Sequence, residues 1–204
     1  MSVCLYEAFE MRPDRLAFAR VAAGRLPYGT ELLEIGCGDG EAAKYFAERG
    51  MKVTATDIKG RCIPHEGVSF VRTDAAKLPF ERESFDCVYC EAAFSSVEDK
   101  ASASEEVYRV LRPDGKFILS DYVRREGSAE NTAQVPSLKG ACTEEEYMAL
   151  FGRFRLVESK NEATFLMCLV LYLCHTFSIS YEELLRSLGA ERTQYGFETF
   201  IFIK

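Results

Sequence analysis

Leu32-Leu33-Glu34-Ile35-Gly36-Cys37-Gly38-Asp39-Gly40 decides how this chain folds. An apolar run empties into three glycines within five positions, and a helix-forming segment follows from Glu41 to about Gly50. Glycine is required where the backbone turns through positive φ, or where a ligand comes too close for a Cβ. A helix opening there points free N–H groups and a positive dipole end at whatever is bound. The pattern is that of a nucleotide-cradling turn. Its spacing is G-x-G-x-G, whereas the dinucleotide fingerprint puts the third glycine one residue later. A plain strand–helix turn would seldom need three glycines.

The segments downstream repeat the alternation of strand and helix. Lys52 to Asp57 is a β-branched run ending in a carboxylate, seventeen positions after Gly40, where an acidic side chain can take both ribose hydroxyls. Val68 to Arg72 reads as a third strand, followed by Thr73-Asp74-Ala75, and Ser84 to Cys90 reads as a fourth. A helical segment then leads to Val110-Leu111-Arg112-Pro113-Asp114-Gly115-Lys116-Phe117-Ile118-Leu119-Ser120-Asp121, the fifth. Strands alternating with helices predict an α/β, doubly wound, mostly parallel sheet. In order and spacing these four motifs, over about residues 32 to 122, resemble the class I S-adenosylmethionine (SAM)-dependent methyltransferases. The likeness is to the small-molecule group that includes the ubiquinone and menaquinone biosynthesis enzymes.

The resemblance implies a seven-stranded Rossmann-like sheet, SAM as cofactor and a small-molecule methyl acceptor. It also implies roles for residues at matching positions. Gly36 and Gly38 would let the backbone approach the methionine portion, and Glu34 would organise its amino group. Asp57 would hold the ribose, Ile58 would pack on adenine, and Asp74 with the Ala75 N–H would meet the adenine edge. Cys90, at the expected end of strand four, would offer its carbonyl to the methionine ammonium. The N-terminal segment, with Tyr6 and Phe9, would close the pocket; Tyr6 and Phe94 are the substrate-side candidates. Ser95-Ser96 stands where the family often carries a histidine pair, which leaves Glu91 and Tyr122 as candidate proton acceptors. The catalytic residue is otherwise unassigned.

Composition narrows the function classes. Lys+Arg 25 against Asp+Glu 32 gives a net charge of −7, which argues against nucleic acid held on a broad basic surface. The N-terminus lacks a basic region followed by an apolar core, so a cytoplasmic protein with no membrane partner is expected. The eight cysteines fall within expected strands and helices and read as free thiols in a reducing compartment, with no metal site. Cys87 and Cys90 form a C-x-x-C, but on a strand they point to opposite faces. Gly140-Ala141-Cys142 followed by Glu146-Tyr147 has a partial likeness to arsenite methyltransferases, so a metalloid or thiol acceptor is one alternative. A SAM-binding protein without transfer activity is another.

All 204 residues read as one domain: a lid or helix over 1–30, a cofactor-binding core over 31–122, and a substrate-side region over 123–204. Within the last, Thr143 and Glu146 form a capping box, Phe154 to Ser159 reads as strand six and Phe197 to Ile203 as the last strand. Two features depart from the family. Residues 58–67, with Gly60, Pro64 and Gly67, leave no room for the crossover helix between strands two and three. That shortened crossover predicts an uncovered sheet edge, met by the chain itself or by a second subunit, so monomer and homodimer both stay open. Phe165 to Cys174 is ten apolar residues inserted as a helix before the last strand, too short to span a bilayer; a buried core helix is the leading expectation, with a subunit interface or a cap over an apolar substrate pocket as alternatives.

Overall fold

In the computed structural model, residues 14–59, 62, 64–128, 131–133 and 135–204 are described. Seven strands are present among the described residues: β1 (Glu31–Ile35), β2 (Lys52–Asp57), β3 (Val68–Arg72), β4 (Phe85–Glu91), β5 (Leu111–Arg124), β6 (Arg155–Asn161) and β7 (Tyr195–Ile203). They form one sheet in the order β3-β2-β1-β4-β5-β7-β6. The first five pair in parallel, and β7 runs antiparallel to both β5 and β6. The doubly wound, mostly parallel sheet expected from the sequence is therefore the fold observed.

The helices among the described residues are α1 (Ala17–Ala23), α2 (Glu41–Ala47), α3 (Lys100–Val110), α4 (Pro136–Lys139), α5 (Glu144–Leu150), α6 (Ala163–Phe177) and α7 (Tyr181–Leu188). Alternation along the strands sorts their side chains between two faces. Leu33, Ile35, Val88, Cys90 and Leu119 meet Ala103, Val107 and Val110 of α3 and Tyr147 of α5. Leu32, Val53, Cys87, Tyr89 and Ile118 meet Ala19, Ala22 and Ala23 of α1 and Ala43 and Phe46 of α2. Cys87 and Cys90 thus face opposite ways, as the strand reading requires. A third cluster, with Phe18, Tyr122, Leu138, Leu169, Leu173, Leu184 and Phe197, ties α4, α6 and α7 to β5 and β7. Both Thr143 at α5 and Ser180 at α7 cap their helices through capping boxes.

The strand order reverses between β1 and β4. Open α/β sheets bind ligands at such a switch point, beyond the carboxyl ends of the strands. The shortened crossover is also as expected: none of the described residues between Asp57 and Val68 is helical, and 73–84 carries no helix either. The loop itself supplies part of the cover, since Cys62 packs against the α2-side cluster. Cover remains thin at this edge, where Phe70 is 37% exposed. One expectation holds only in part. The apolar helix α6 packs one face into the third cluster through Leu169 and Leu173, but Met167 is 56% and Leu171 61% exposed. It lies across the end of β7 with one face inward, so its apolar character does not translate into all-round burial.

Candidate functional site

A cavity of about 420 Å³ opens at the switch point, walled by the ends of β1, β2 and β4 and by the loops after them. The glycine loop forms its floor. Gly36, Gly38 and Gly40 have φ of 73°, 56° and 89°, so each occupies the region that favours glycine. At Gly36 space is limiting as well, because a Cβ there would lie 2.3 Å from the Cβ of Ala93. The N–H groups of Gly36 and Cys37 both donate to the Thr56 carbonyl, at 2.8 and 2.9 Å, which pins the loop to β2. Asp57 Oδ2 accepts from the Gly38 N–H at 3.2 Å and Oδ1 from the Lys59 N–H at 2.6 Å.

The expected cofactor residues converge. Glu34, Gly36, Gly38, Asp57, Ile58, Asp74 and Ala75 all line the cavity, running from the thinly covered β2–β3 end to the centre. At that end Ile58 is 58% exposed, which gives an open mouth. Asp74 Oδ1 accepts from the Ala76 N–H at 2.9 Å, which presents the Asp74-Ala75 turn to the cavity. Glu91 and Tyr122 line the opposite end with Ala92, Ser96, Val97 and Ser137. The Tyr89 hydroxyl donates to Glu91 Oε2.

Three expectations need correction or fall outside the described region. Cys90 does not line the cavity; β4 runs one residue further than expected, so Glu91 and Ala92 occupy the rim instead. Phe94 is fully buried, its ring against Phe117, Tyr147 and Phe151, and it takes no part in the wall. Tyr6 and Phe9 lie outside the described residues. Cys142, the thiol on which the metalloid reading depended, does not line the cavity. Among the described residues no cluster of three potential metal ligands occurs.

Sequence reasoning missed Arg15, Asp39, Ser137 and the Ser95–Asp121 pair. Arg15 reaches the glycine loop, its Nη2 donating to Asp39 Oδ2 at 2.6 Å and its Nη1 lying 3.1 Å from Glu41 Oε1. Buried Asp121 accepts from the Ser95 N–H at 2.7 Å and the Ser95 hydroxyl at 2.8 Å. Burial raises the Asp121 carboxyl to about 6, against the lowering effect of those donors. This pair fixes the turn Phe94–Ser96 at the acceptor end, and α4 packs so closely on it that a Cβ at Gly140 would lie 2.0 Å from the Ser95 carbonyl oxygen. Ser95 thus has an architectural role at this turn.

Electrostatically the centre of the cavity is acidic. Burial pushes the Glu34 carboxyl well above the usual carboxylate range; the charges of Glu91 and Asp39 add to the rise, and the Ala43 N–H opposes it. Glu34 Oε2 is buried with no hydrogen-bond partner among the described residues. A buried polar atom without a partner is costly, and an ammonium group would satisfy it. The residues present therefore fit SAM: an acidic acceptor for the amino group, a glycine cradle, and an aspartate for the ribose.

This fold, with a glycine cradle and an acidic strand end at its switch point, is the architecture of a nucleotide-type binding site. Residues 33–119 match a family model described as a methyltransferase domain. Over that segment the chain is similar to SAM-dependent methyltransferases. It is 32% identical over 110 residues to a 2-methyl-6-phytyl-1,4-hydroquinone methyltransferase of a Synechocystis strain, covering 50% of this chain and 35% of that protein. The chain spans about half the length of the curated relatives it matches. Two solved structures share the fold. A phosphoethanolamine N-methyltransferase from Haemonchus contortus, in complex with SAM, gives a TM-score of 0.77 at 18% identity, over 93% of this chain and 52% of that one. The [4+2]-cyclase SpnF gives 0.72 at 19%, over 92% and 79%.

Proposed function

We propose that the chain carries a methyltransferase domain that transfers the methyl group of SAM to a small-molecule acceptor. The observation that carries this reading is the convergence of Glu34, the glycine loop, Asp57 and the Asp74-Ala75 turn on one cavity. The cofactor supplies a methyl group already activated by its sulfonium, so the reaction is an in-line displacement. What the chain must add is alignment and exclusion of water, which in well-oriented cases can supply about 7–11 kcal/mol. Arg15 and the cradle order one wall, while the Ser95–Asp121 pair and Gly140 hold the other in fixed register with β5. Ala92, Val97 and Tyr122 give the acceptor end an apolar surface, with Ser96 and Ser137 as hydroxyl contacts. A ring bearing one or two oxygens suits that wall, in keeping with the hydroquinone named for the Synechocystis relative.

Glu91 and Tyr122 are the side chains at this end that can accept a proton from such an acceptor. Nucleic acid is disfavoured as acceptor by the net charge of −7. Among the described residues no single helix is long and apolar enough to cross a membrane. The test is incubation with methyl-labelled SAM and a panel of hydroquinones, phenols and amines, with transfer read by mass spectrometry. Label on a ring-oxygen or ring-carbon acceptor is expected. Tight SAM binding with no transfer to any of them would overturn the assignment of transferase activity.

A further inference from the structure

Two thiols meet beside the cavity. Cys37 stands between Gly36 and Gly38 in the glycine loop and lines the cavity wall. Cys62 belongs to the shortened crossover that follows β2, and both side chains pack into one apolar cluster with Ala43, Phe46 and Val53. The Cys37 thiol donates to the Cys62 sulfur. Both are free thiols. Sulfurs already in hydrogen-bond contact need only a short approach to reach the roughly 2 Å of a disulfide. The C-x-x-C pair on β4 has no such option, because Cys87 and Cys90 face opposite sides of the sheet.

Both loops bear on one carboxylate. Asp57 Oδ2 accepts from the N–H of Gly38, the neighbour of Cys37, and Oδ1 accepts from the N–H of Lys59, at the root of the crossover that carries Cys62. Cys37 is itself held at both ends: its N–H donates to the Thr56 carbonyl and its carbonyl accepts from the Gly40 N–H, each at 2.9 Å. A bond between the two sulfurs therefore draws the crossover onto the glycine loop and pulls, through Lys59, on the Asp57 carboxylate. We propose that Cys37 and Cys62 form a redox modification site, whose disulfide weakens cofactor binding at the cavity and whose reduction restores it. The effect on SAM rests on the SAM reading of the cavity; formation of the bond does not.

The oxidant is a peroxide. Burial raises both thiols, but the hydrogen bond between them raises Cys37 further and lowers Cys62, so Cys62 is the sulfur that ionises first. Its thiolate attacks hydrogen peroxide, the O–O bond breaks, and a sulfenic acid forms with loss of hydroxide. The Cys37 sulfur then displaces the sulfenic hydroxyl and closes the disulfide. Two electrons pass from the sulfurs to the peroxide, and its oxygens leave as two waters with the two thiol protons.

The full chain treated with hydrogen peroxide, blocked by alkylation and digested, tests the bond by mass spectrometry. A peptide pair joined through Cys37 and Cys62 is expected, and dithiothreitol should abolish it. Calorimetry with SAM should show the oxidised protein binding about tenfold or more weakly than the reduced one, with recovery after dithiothreitol. Cys62→Ser is expected to bind SAM as the reduced wild type does, before and after peroxide. Cys168→Ser removes an exposed thiol and should keep the full response. Mapping and reversal on the wild type need no variant, which covers the case of a poorly folded Cys62→Ser. Oxidation of other cysteines with no link between Cys37 and Cys62 would overturn the proposal. So would a link that leaves the SAM affinity within about twofold, or an equal loss of affinity in peroxide-treated Cys62→Ser. A reduced wild type that binds no SAM would instead overturn the SAM reading, and with it the effect on SAM, while the peptide map still decides the bond.

Discussion

Asp57 stands at a strand end on the cavity wall, where the proposed ribose contact requires a carboxylate. It ends β2, lines the cavity, and both of its oxygens already accept backbone N–H groups from the loops beside it. Asp57→Ala should therefore weaken SAM by about tenfold to a hundredfold, since hydrogen bonds to a charged acceptor are worth about 1.5–3 kcal/mol. Calorimetry would show it, and an unchanged Kd in a folded variant would remove Asp57 from the site. The cysteines belong to the same scale. Burial pushes the Cys87 thiol up to about 12 and raises Cys37 and Cys90 as well, so these three should resist thiol reagents in the native state. Among the cysteines of the described residues Cys168 is exposed and should react first. Mass spectrometry after brief alkylation would check the order, and rapid labelling of Cys87 or Cys90 would contradict it. Residues fixed by local spacing were legible in the sequence: Gly36, Asp57 and Asp74 follow from where strands end. Arg15 and Ser137 were not, because they reach the cavity from distant segments and carry no local signal. Phe94 was not legible because it sits in the short turn Phe94–Ser96 beyond β4, where strand alternation no longer sets which way a side chain points.

At the scale of elements, α6 shows what composition conceals. Ten successive apolar residues have no periodicity to reveal an inward face, and the helix presents Leu169 and Leu173 inward while Met167 and Leu171 face solvent. Leu173→Ala should cost about 2–5 kcal/mol, the range for a buried leucine, whereas Leu171→Ala should stay within about 0.5 kcal/mol. Urea unfolding of the two variants separates the cases; equal losses would mean that the outer face is covered in solution. By contrast, the boundaries of α5 were readable, because Thr143 and Glu146 are three apart and the capping box is a local hydrogen-bond exchange. The crossover over residues 58–67 was readable for a related reason. Too few residues, with glycine and proline among them, exclude a regular helix whatever the tertiary context.

For the whole molecule, the buried and exposed carboxylates set opposing demands on pH. Asp121 and Glu34 are buried and raised, and burial raises Glu198 too. A carboxyl raised in the folded state binds its proton more tightly there than in the unfolded chain. Its contribution is therefore fully present below the unfolded value and is lost as pH rises through the folded one. For Asp121 that window runs from 3.8 to about 6. The shift corresponds to about 3 kcal/mol, on the scale of 1.36 kcal/mol per pH unit. Asp86, Asp99, Glu106 and Glu183 are lowered, Asp86 and Glu106 by arginine partners and Asp99 and Glu183 by serine and backbone donors, and their contribution fails as pH falls through those depressed values. Stability should hence peak on the acid side of neutrality, between the two sets, and decline from there towards pH 7. Asp121→Asn should flatten the decline, because the amide cannot ionise, at the cost of one mismatched donor against the Ser95 and Tyr122 N–H groups. Thermal melts from pH 4 to 8 read this directly. A wild-type Tm that climbs steadily up to pH 8 would show that these carboxyls are not held neutral in the fold.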